Sequence, residues 1–340
     1  MNYRTAPSLR VIIAFVLTIA FSISDPRRLS ATDVLSETTD EVGKLDFTQF
    51  AATAAASHVC QVQRLGFETC YARADLIFLS REAESYDLAF SILGGTTEPV
   101  SLDHGFAPGV RATIGIRTGT TGHFQISYLG INDWSADNRT SNVPFGGSTL
   151  DSDDAYSANL NDLEFNLVAM DPYADWDWLF GFRLVDQRDE FGSLLTLDDG
   201  LGNPNSIQAE RIDAEAINTL FGLQIGTRYG HRFGPLGFDG GVKVGVFNNF
   251  ISQSGIIVVN QIVVDGVPEP TFSTDDEQVS FMGDFQLRLT YQATSNASMQ
   301  LGYQGLVFSN IAQSLLQEGG PSSPAELGYH GLFCGLEWRH

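Results

Sequence analysis

Apolar and polar residues alternate along much of the chain, and the alternation is clearest over residues 280–312. Phe285, Leu287 and Leu289 fall on one side of an extended strand there, whereas Arg288 falls on the other. A Thr-Ser-Asn turn follows, and a second alternating run begins after it. Because successive side chains of a strand point to opposite faces, a period of two gives one apolar and one polar face. The stretch therefore predicts a long antiparallel hairpin with a tight turn.

Alternating segments of this kind recur as far as the last residue, and most of them reach the roughly 9–11 residues with which a tilted strand crosses a membrane. Ordinary globular strands are shorter, at about five or six residues. The pattern predicts about ten strands, at 73–81, 109–118, 121–131, 160–170, 176–187, 218–230, 236–248, 280–292, 298–309 and 328–340.

The connections between these strands alternate between short and long. The short ones lie at 119–121, 171–175, 231–235 and 294–296, and the long ones at about 82–108, 132–159, 188–217, 249–279 and 310–327. Outer-membrane barrels have short periplasmic turns and long external loops. The sequence therefore predicts an all-β fold, a closed antiparallel up-and-down transmembrane β-barrel, with both chain ends on the periplasmic side.

Aromatic residues collect near the ends of the apolar faces, as in the girdles of membrane barrels. They are Tyr128, Trp176, Trp178, Tyr229, Tyr291 and Trp338. The alternative is a soluble sandwich or a lipocalin-like barrel, in which the apolar face would point inward. Periodicity alone does not decide between them, but strand length, loop asymmetry and the girdles favour the membrane.

The N-terminus predicts export. Arg4 and Arg10 precede an apolar run at 11–24 that ends in small residues, as in a signal peptide cleaved near Ser24. An uncleaved anchor is the alternative, but the apolar run is short for a membrane span. We therefore divide the chain into a signal peptide at 1–24, a polar and Ala-rich periplasmic segment at 25–71 that could also plug the lumen, and the barrel at 72–340, located in the outer membrane.

Composition narrows the classes of partner. The net charge of −22 argues against nucleic acid, which needs a basic surface. The mean hydropathy of −0.03 does not fit a helical membrane protein. Cys60 and Cys70 could form a disulfide after export, with Cys334 left as a packing residue on the last strand. The six His are scattered, so we predict no metal site and no cofactor.

The polar face carries charges of both signs, interspersed with glycines that suit a narrow interior. We predict that these charges line the lumen: Arg73, Asp75, Arg111, Arg117, Asp162, Glu164, Arg183, Arg228, Lys243, Asp284, Arg288, Glu337 and Arg339. They could form a network that fills and stiffens the barrel, or a selectivity lining for small solutes or ions. About ten strands enclose little more than side chains can fill, which favours the network.

The long loops are acidic at 151–154, 198–199 and 275–277, which would favour cations at the external mouth. The spacing is not that of a calcium loop, so solvated charge is the preferred interpretation. A hydrolase would need His and Asp together at that rim. Asp103 and His104 lie in the first long loop, and His330 is the other His near the rim. Because this set is sparse, we predict that the protein is not an enzyme.

Several segments together resemble the Putative beta barrel porin-7 family of planctomycete bacteria. They are GVRATIG at 109–115, LEFNL at 163–167, LFGFRL at 179–184, LFGLQIG at 220–226, DGGVKVG at 239–245, LGYQ at 301–304 and GLFCGLEW at 331–338. The resemblance covers about 72–340 and implies an outer-membrane barrel that contacts outer-membrane lipid and the barrel assembly machinery. The chain departs from the usual barrel ending, because Arg339 and His340 follow the aromatic Trp338.

Two functions follow as hypotheses. The first is a narrow porin, or a side-chain-filled barrel, for small solutes or cations. The alternative is a structural outer-membrane anchor that displays acidic loops.

Closure requires that the first strand pair with the last. Antiparallel pairing would place Arg73 and Asp75 beside Glu337 and Arg339, all on the inner face. We therefore predict an ion pair of Arg73 with Glu337, or of Asp75 with Arg339.

Overall fold

The computed structural model describes residues 69–82, 84–87, 99–102, 105–117, 122–145, 148–170, 176–198, 208–259, 271–314 and 325–340. The predicted signal peptide, the segment 25–68, Cys60 and the Asp103–His104 pair lie outside the described residues. The cleavage site, the role of the N-terminal segment and the disulfide therefore stay predictions. No helix in the described part of the chain is long and apolar enough to cross a membrane.

Ten long antiparallel strands close into one barrel, which confirms the predicted fold. They are β1 (Thr69–Arg81), β4 (Phe106–Arg117), β5 (Gly122–Phe145), β6 (Ser148–Met170), β7 (Trp176–Asp198), β8 (Gln208–Phe233), β9 (Leu236–Val259), β10 (Thr271–Gln292), β11 (Ala297–Ile311) and β12 (Ala325–Arg339). Two short strands, β2 (Glu84–Asp87) and β3 (Pro99–Leu102), pair with each other outside the barrel.

The barrel closes at the predicted seam. Strand β1 pairs with β12 in antiparallel register, and Arg73 lies opposite Glu337. On its other side β1 pairs with β4, and the remaining strands follow in chain order around the ring. Every long strand therefore has two neighbours, and no sheet edge is left to face lipid.

The strands run further on the external side than the alternation predicts. The pattern ends β7 at residue 187, but the strand continues to Asp198, and β8 begins at Gln208 rather than at 218. Outward-facing Asp186, Arg188 and Glu190 replace apolar residues in this part of β7. The apolar signal disappears because these positions lie beyond the membrane, although the hydrogen-bonded ladder continues. Much of the predicted external loop is therefore extended hairpin.

The outer surface of the barrel is an apolar belt. Leu223 on β8 is 71% exposed and Leu336 on β12 is 63% exposed, although a water-soluble protein would bury such side chains. At the periplasmic edge Trp176 packs against Tyr229, with ring centroids 5.2 Å apart, and Trp338 is exposed. The belt matches the lipid-facing band of a membrane barrel.

A two-residue turn of Gly234 and Pro235 joins β8 to β9 on the periplasmic side. Gly234 has a φ of 62°, a conformation that residues with a Cβ rarely adopt. Proline then fixes φ near −65° at the second position. Glycine followed by a residue of negative φ is the pattern of a type II′ hairpin turn, whose twist matches that of the flanking strands.

The position of the belt can be tested on β9. Val242 lies in the middle of the outward apolar run, and Ser252 lies on the same face of the same strand but beyond it. Val242→Arg is expected to destabilise the barrel by about 2–4 kcal/mol, because the charge would sit near the bilayer midplane. Ser252→Arg is expected to cost about 1 kcal/mol or less. Urea unfolding in lipid vesicles measures both, and equal costs would place the membrane elsewhere.

Candidate functional site

The interior of the barrel is the candidate site, and most of the predicted lining charges point into it. Nine of them are buried: Arg73, Asp75, Arg111, Asp162, Glu164, Arg183, Asp284, Arg288 and Glu337. Arg228 and Lys243 are partly exposed near the periplasmic end. Arg117 and Arg339 are exposed at the periplasmic rim. Whether any of these residues lines a solute pathway stays a prediction.

The first cluster of charges centres on Arg183 of β7. Its guanidinium group pairs with Asp162 on the neighbouring strand, lies 3.1 Å from Asp284 across the lumen and 3.5 Å from Glu164. Lys243 lies 2.8 Å from Glu164 and 2.7 Å from Asp284. Three carboxylates and two cations thus interact across four strands, with one carboxylate in excess. Such a network is costly to break, because removing one partner leaves another buried charge uncompensated.

The second cluster lies at the seam, where the predicted contacts are wrong. Among the described residues Arg73 pairs with Asp75 at 3.3 Å, and Glu337 pairs with Arg339 at 2.6 Å. Each pair joins residues two positions apart on one strand, rather than residues on opposite sides of the seam. Asp75 also accepts a hydrogen bond from Arg111 Nε at 2.9 Å. Glu337 and one oxygen of Asp75 are therefore already engaged, and neither predicted cross-seam ion pair forms.

An apolar layer fills the barrel on the external side of these charges. All ten strands contribute to it: Ile77, Leu79, Ala107, Leu129, Ile131, Trp134, Tyr156, Ala158, Leu160, Val185, Phe191, Leu220, Phe247, Met282, Leu306, Phe308, Ile311, Leu327, Tyr329 and Phe333. Trp134 is 1% exposed and donates its indole N–H to the carbonyl of Leu79 at 2.9 Å. Side chains from every wall therefore meet across the lumen.

Glycines on the inner face make room for the rings of this layer. A Cβ atom at Gly302 would fall on the ring of Phe333, and one at Gly222 would fall on the neighbouring β9 backbone and near the ring of Phe247. The rings consequently lie close to the backbone of these glycines. The glycines noted in the sequence thus serve close packing inside a narrow barrel.

A second polar layer lies beyond the apolar one, and the sequence did not predict it. Arg81 Nη1 and Nη2 donate to the two carboxylate oxygens of Asp189 at 2.8 and 3.0 Å, and both side chains are fully buried. Arg81 also lies over the ring of Tyr156, 4.8 Å from its centroid. Asp154 is buried too, and it accepts hydrogen bonds from Ser152 and Ser193 at 2.8 and 2.5 Å. Part of the predicted acidic loop at 151–154 therefore faces the interior.

The last residue of β11 and the three residues that follow it fold inward across this layer. Ile311, Ala312, Gln313 and Ser314, which we call the strap, are all buried. Asn310 precedes the strap with a φ of 64°, and a β-bulge falls between residues 309 and 311. Left-handed backbone at an asparagine and an unpaired bulge position both turn a strand out of its ladder. The chain thus leaves β11 and enters the lumen.

Asn218 of β8, three strands away from β11, holds the strap. It donates to the carbonyl of Ala312 at 2.7 Å and accepts from the N–H of Ala312 at 2.9 Å. It also donates to Gln187 at 2.7 Å and accepts from Asn249 at 3.0 Å. Gln253 adds a hydrogen bond to the carbonyl of Gln313 at 3.0 Å. Asn218 alone therefore satisfies four buried polar groups.

Replacement of Asn218 should loosen the strap. Asn218→Ala is expected to cost about 1–3 kcal/mol, because buried donors and acceptors lose their partners. Asn248→Ala is the matched control, since that amide is exposed and donates to Glu277 at 2.6 Å. It is expected to change the free energy of unfolding by about 0.5 kcal/mol or less. Urea unfolding measures both variants. Equal effects would show that the hydrogen bonds between Asn218 and the strap do not stabilise the barrel.

The structure places His330 away from any site at the external rim. Its side chain lies on the outward face of β12, and Nδ1 lies 3.0 Å from the hydroxyl of Tyr303. His123 is buried at the start of β5, near the periplasmic end. None of the described residues brings a His to the inner side of the external rim. No metal-binding group of His, Cys, Asp or Glu side chains occurs in the described ranges.

The chain is similar to one protein family in sequence and to solved outer-membrane barrels in structure. A sequence model described as Putative beta barrel porin-7 (BBP7) matches residues 127–317. The outer membrane protease OmpT from Escherichia coli is similar in structure, with a TM-score of 0.52 and 12% sequence identity, covering 80% of this chain and 97% of that one. The translocator domain of the autotransporter NalP from Neisseria meningitidis gives a TM-score of 0.36 and 11% identity, covering 86% of this chain and 99% of that one. A comparison with curated protein sequences finds no match.

At 12% identity the likeness to OmpT shows the barrel fold alone. The fold and the matched sequence model together identify an outer-membrane β-barrel protein.

Proposed function

The chain belongs to the Putative beta barrel porin-7 (BBP7) family, and we propose that it acts as an outer-membrane anchor with a closed lumen. Its barrel holds extended hairpins above the external membrane surface. In this proposal the interior charges stiffen the barrel and pass no solute.

The apolar layer is the observation that carries the proposal. A permeating ion would have to leave its hydration shell to cross a layer of packed Trp, Phe, Leu and Ile side chains. Ten strands also enclose little more volume than side chains can fill. The strap adds a second obstruction on the external side.

A narrow porin is the second candidate. The periplasmic half of the lumen is polar, and Lys243 and Arg228 are partly exposed there. Residues 275–277 form an exposed acidic patch in the external part of β10, which would favour cations near the mouth. Passage would nevertheless require the apolar layer and the strap to move aside. The filled lumen therefore ranks the anchor above the pore.

A hydrolase ranks third. OmpT is an outer membrane protease, but the likeness of this chain to it reaches the fold only. Among the described residues, His330 faces outward and His123 lies near the periplasmic end, so neither could act at the external rim. We therefore propose that the protein is not an enzyme.

The proposal includes export through a signal peptide at 1–24, contact with outer-membrane lipid, and insertion by the barrel assembly machinery. The exposed apolar belt and the exposed Trp338 near the end of β12 support it. N-terminal sequencing of the protein purified from outer membranes should begin near residue 25. A start at residue 1 would indicate an uncleaved anchor instead.

Epitope insertion tests the display of external hairpins. A tag placed between β5 and β6, after Phe145, should bind antibody on intact cells. A tag placed between Gly234 and Pro235 should bind only after permeabilisation, because that turn faces the periplasm. The reverse labelling, or labelling of neither tag on intact cells, would overturn the display proposal.

A further inference from the structure

Three arginines converge on the periplasmic side of the apolar layer. Arg73 donates to Thr113 at 3.2 Å, and Arg111 donates to Gln304 at 2.7 Å. Arg288 enters from β10. We call Arg73, Arg111 and Arg288 the arginine triad. Each is more than nine-tenths buried.

The triad has more donors than its protein neighbours accept. One carboxylate oxygen of Asp75 pairs with Nε of both Arg73 and Arg111, at 3.3 and 2.9 Å. The nearest carboxylate oxygen of Asp239 is 3.6 Å from Arg288, which is too long for a strong hydrogen bond. Within the described ranges Arg111 Nη2 and Arg288 Nε have no hydrogen-bond partner, and Arg73 Nε has only its ion contact with Asp75. The second carboxylate oxygen of Asp75 is also unpaired, but one oxygen cannot accept from all of these donors. Buried donors are therefore left for an acceptor from outside the protein.

The local charge is also unbalanced. Glu337, the next carboxylate along the seam, is engaged by Arg339 at 2.6 Å and by Gln300 at 3.0 Å. Three guanidinium groups therefore share Asp75 and the distant Asp239. Arg73 and Arg111 contact the same oxygen of Asp75, so two groups of like charge lie beside each other. Like charges held together in a buried site favour a bound anion.

Phe333 brings two members of the triad together. The guanidinium carbon of Arg111 lies 4.7 Å from its ring centroid, and that of Arg288 lies 5.9 Å from it. Contact with an aromatic ring holds a guanidinium group in place. The donors are thus positioned before any ligand arrives, which lowers the entropic cost of binding.

The triad is reached from the periplasm. Asp239, directly opposite Arg288 on β9, is 24% exposed, and Arg228, close to the short connection before β7, is 35% exposed. Arg117 and Arg339 are exposed at the rim. Arg228 and Arg339 are paired with Asp177 and Glu337, and an anion entering the periplasmic mouth would pass Arg117 before it reached the triad.

We propose that the arginine triad binds a small oxyanion, such as a phosphate group, in the periplasmic half of the lumen. Guanidinium groups match the geometry of phosphate and carboxylate oxygens and donate to them in pairs. The site lies on the periplasmic side of the apolar layer, so it does not depend on whether the lumen is open or closed.

Calorimetric titration of the refolded full chain in detergent with inorganic phosphate tests the proposal, at constant ionic strength set with chloride. A saturable isotherm of one site is expected. Arg288→Gln should weaken phosphate binding by at least about tenfold, because a charged hydrogen bond is lost. Arg211→Gln is the control, since Arg211 is exposed on the outside of β8, and its affinity should match the wild type.

A second variant is expected to strengthen phosphate binding, which loss of folding could not do. Asp239→Asn removes the carboxylate nearest to Arg288, so it should tighten phosphate binding. Circular dichroism checks that each variant is folded. Absence of saturable binding to the wild type, equal binding by Arg288→Gln, or no gain in Asp239→Asn would each overturn the site.

Discussion

Asp189→Ala is expected to lower the free energy of unfolding of the barrel by about 3–5 kcal/mol, one of the two largest effects we predict. The change removes the carboxylate that accepts hydrogen bonds from both terminal nitrogens of Arg81, at 2.8 and 3.0 Å. Both side chains are fully buried, so the guanidinium group would lose its counter-charge without gaining water. Gln187, which donates to Asp189 at 2.5 Å, would lose an acceptor as well.

The next residue along β7 provides the control. Glu190 pairs with Arg188 at 3.0 Å, but about half of each side chain is exposed, because the pair lies on the outer face. Glu190→Ala is expected to cost about 1 kcal/mol or less, since solvent screens exposed pairs. Urea unfolding in lipid vesicles measures both variants. A cost for Asp189→Ala no larger than that for Glu190→Ala would contradict the burial of the Arg81–Asp189 pair in the second polar layer.

The double variant Trp134→Ala and Phe247→Ala is expected to turn a silent barrel into one that conducts ions. These rings enter the apolar layer from β5 and β9, on opposite sides of the ring of strands. Both are about 1% exposed, and their removal leaves a gap that the remaining side chains cannot fill completely. Water in this gap would shorten the apolar barrier to an ion. Single-channel recording measures the effect.

Each of these truncations costs about 3–5 kcal/mol, so folding must be checked by circular dichroism. Leu223→Ala with Phe238→Ala is the control, because both side chains face lipid. That variant should remain silent. If the lumen variant is folded and equally silent, then the apolar layer is not what closes the barrel.

The spanning part of the barrel was predictable because a membrane imposes a strict pattern. Lipid selects Val242 and Leu223 on one face, and the crowded lumen selects polar or small residues on the other. Beyond the membrane both faces can be polar, so the external ends of β7 and β8 carry no signal. The pattern therefore places Asp189 and Asp154 in loops and gives no indication of their contacts inside the barrel.

The apolar layer was missed for a related reason. Ile77 lies between Leu76 and Phe78, and Phe308 follows Val307, so both faces are apolar at these points. The period of two disappears there, although an unbroken apolar run is itself a sign of burial on both sides. Asp177 and Asp239 face inward and were also overlooked, because they stand beside the short turns.

At the seam, the alternation of side chains predicted the strand pairing but not the ion pairs. Parity placed Arg73 opposite Glu337, and the register confirms this pairing. Parity does not determine which charge a long side chain reaches, because residues two apart on one strand are also neighbours on the inner face. Arg73 consequently pairs with Asp75, and Arg339 pairs with Glu337.

Planar-bilayer recording of the wild-type protein tests the closed lumen most directly. The full-length mature chain is inserted at low protein concentration, and its fold is verified by circular dichroism in the same detergent. The layer of packed side chains from all ten strands predicts no stepwise conductance above that of the protein-free bilayer. Reproducible single-channel steps from folded wild-type protein, with or without preference for cations, would contradict a closed lumen and establish the porin instead.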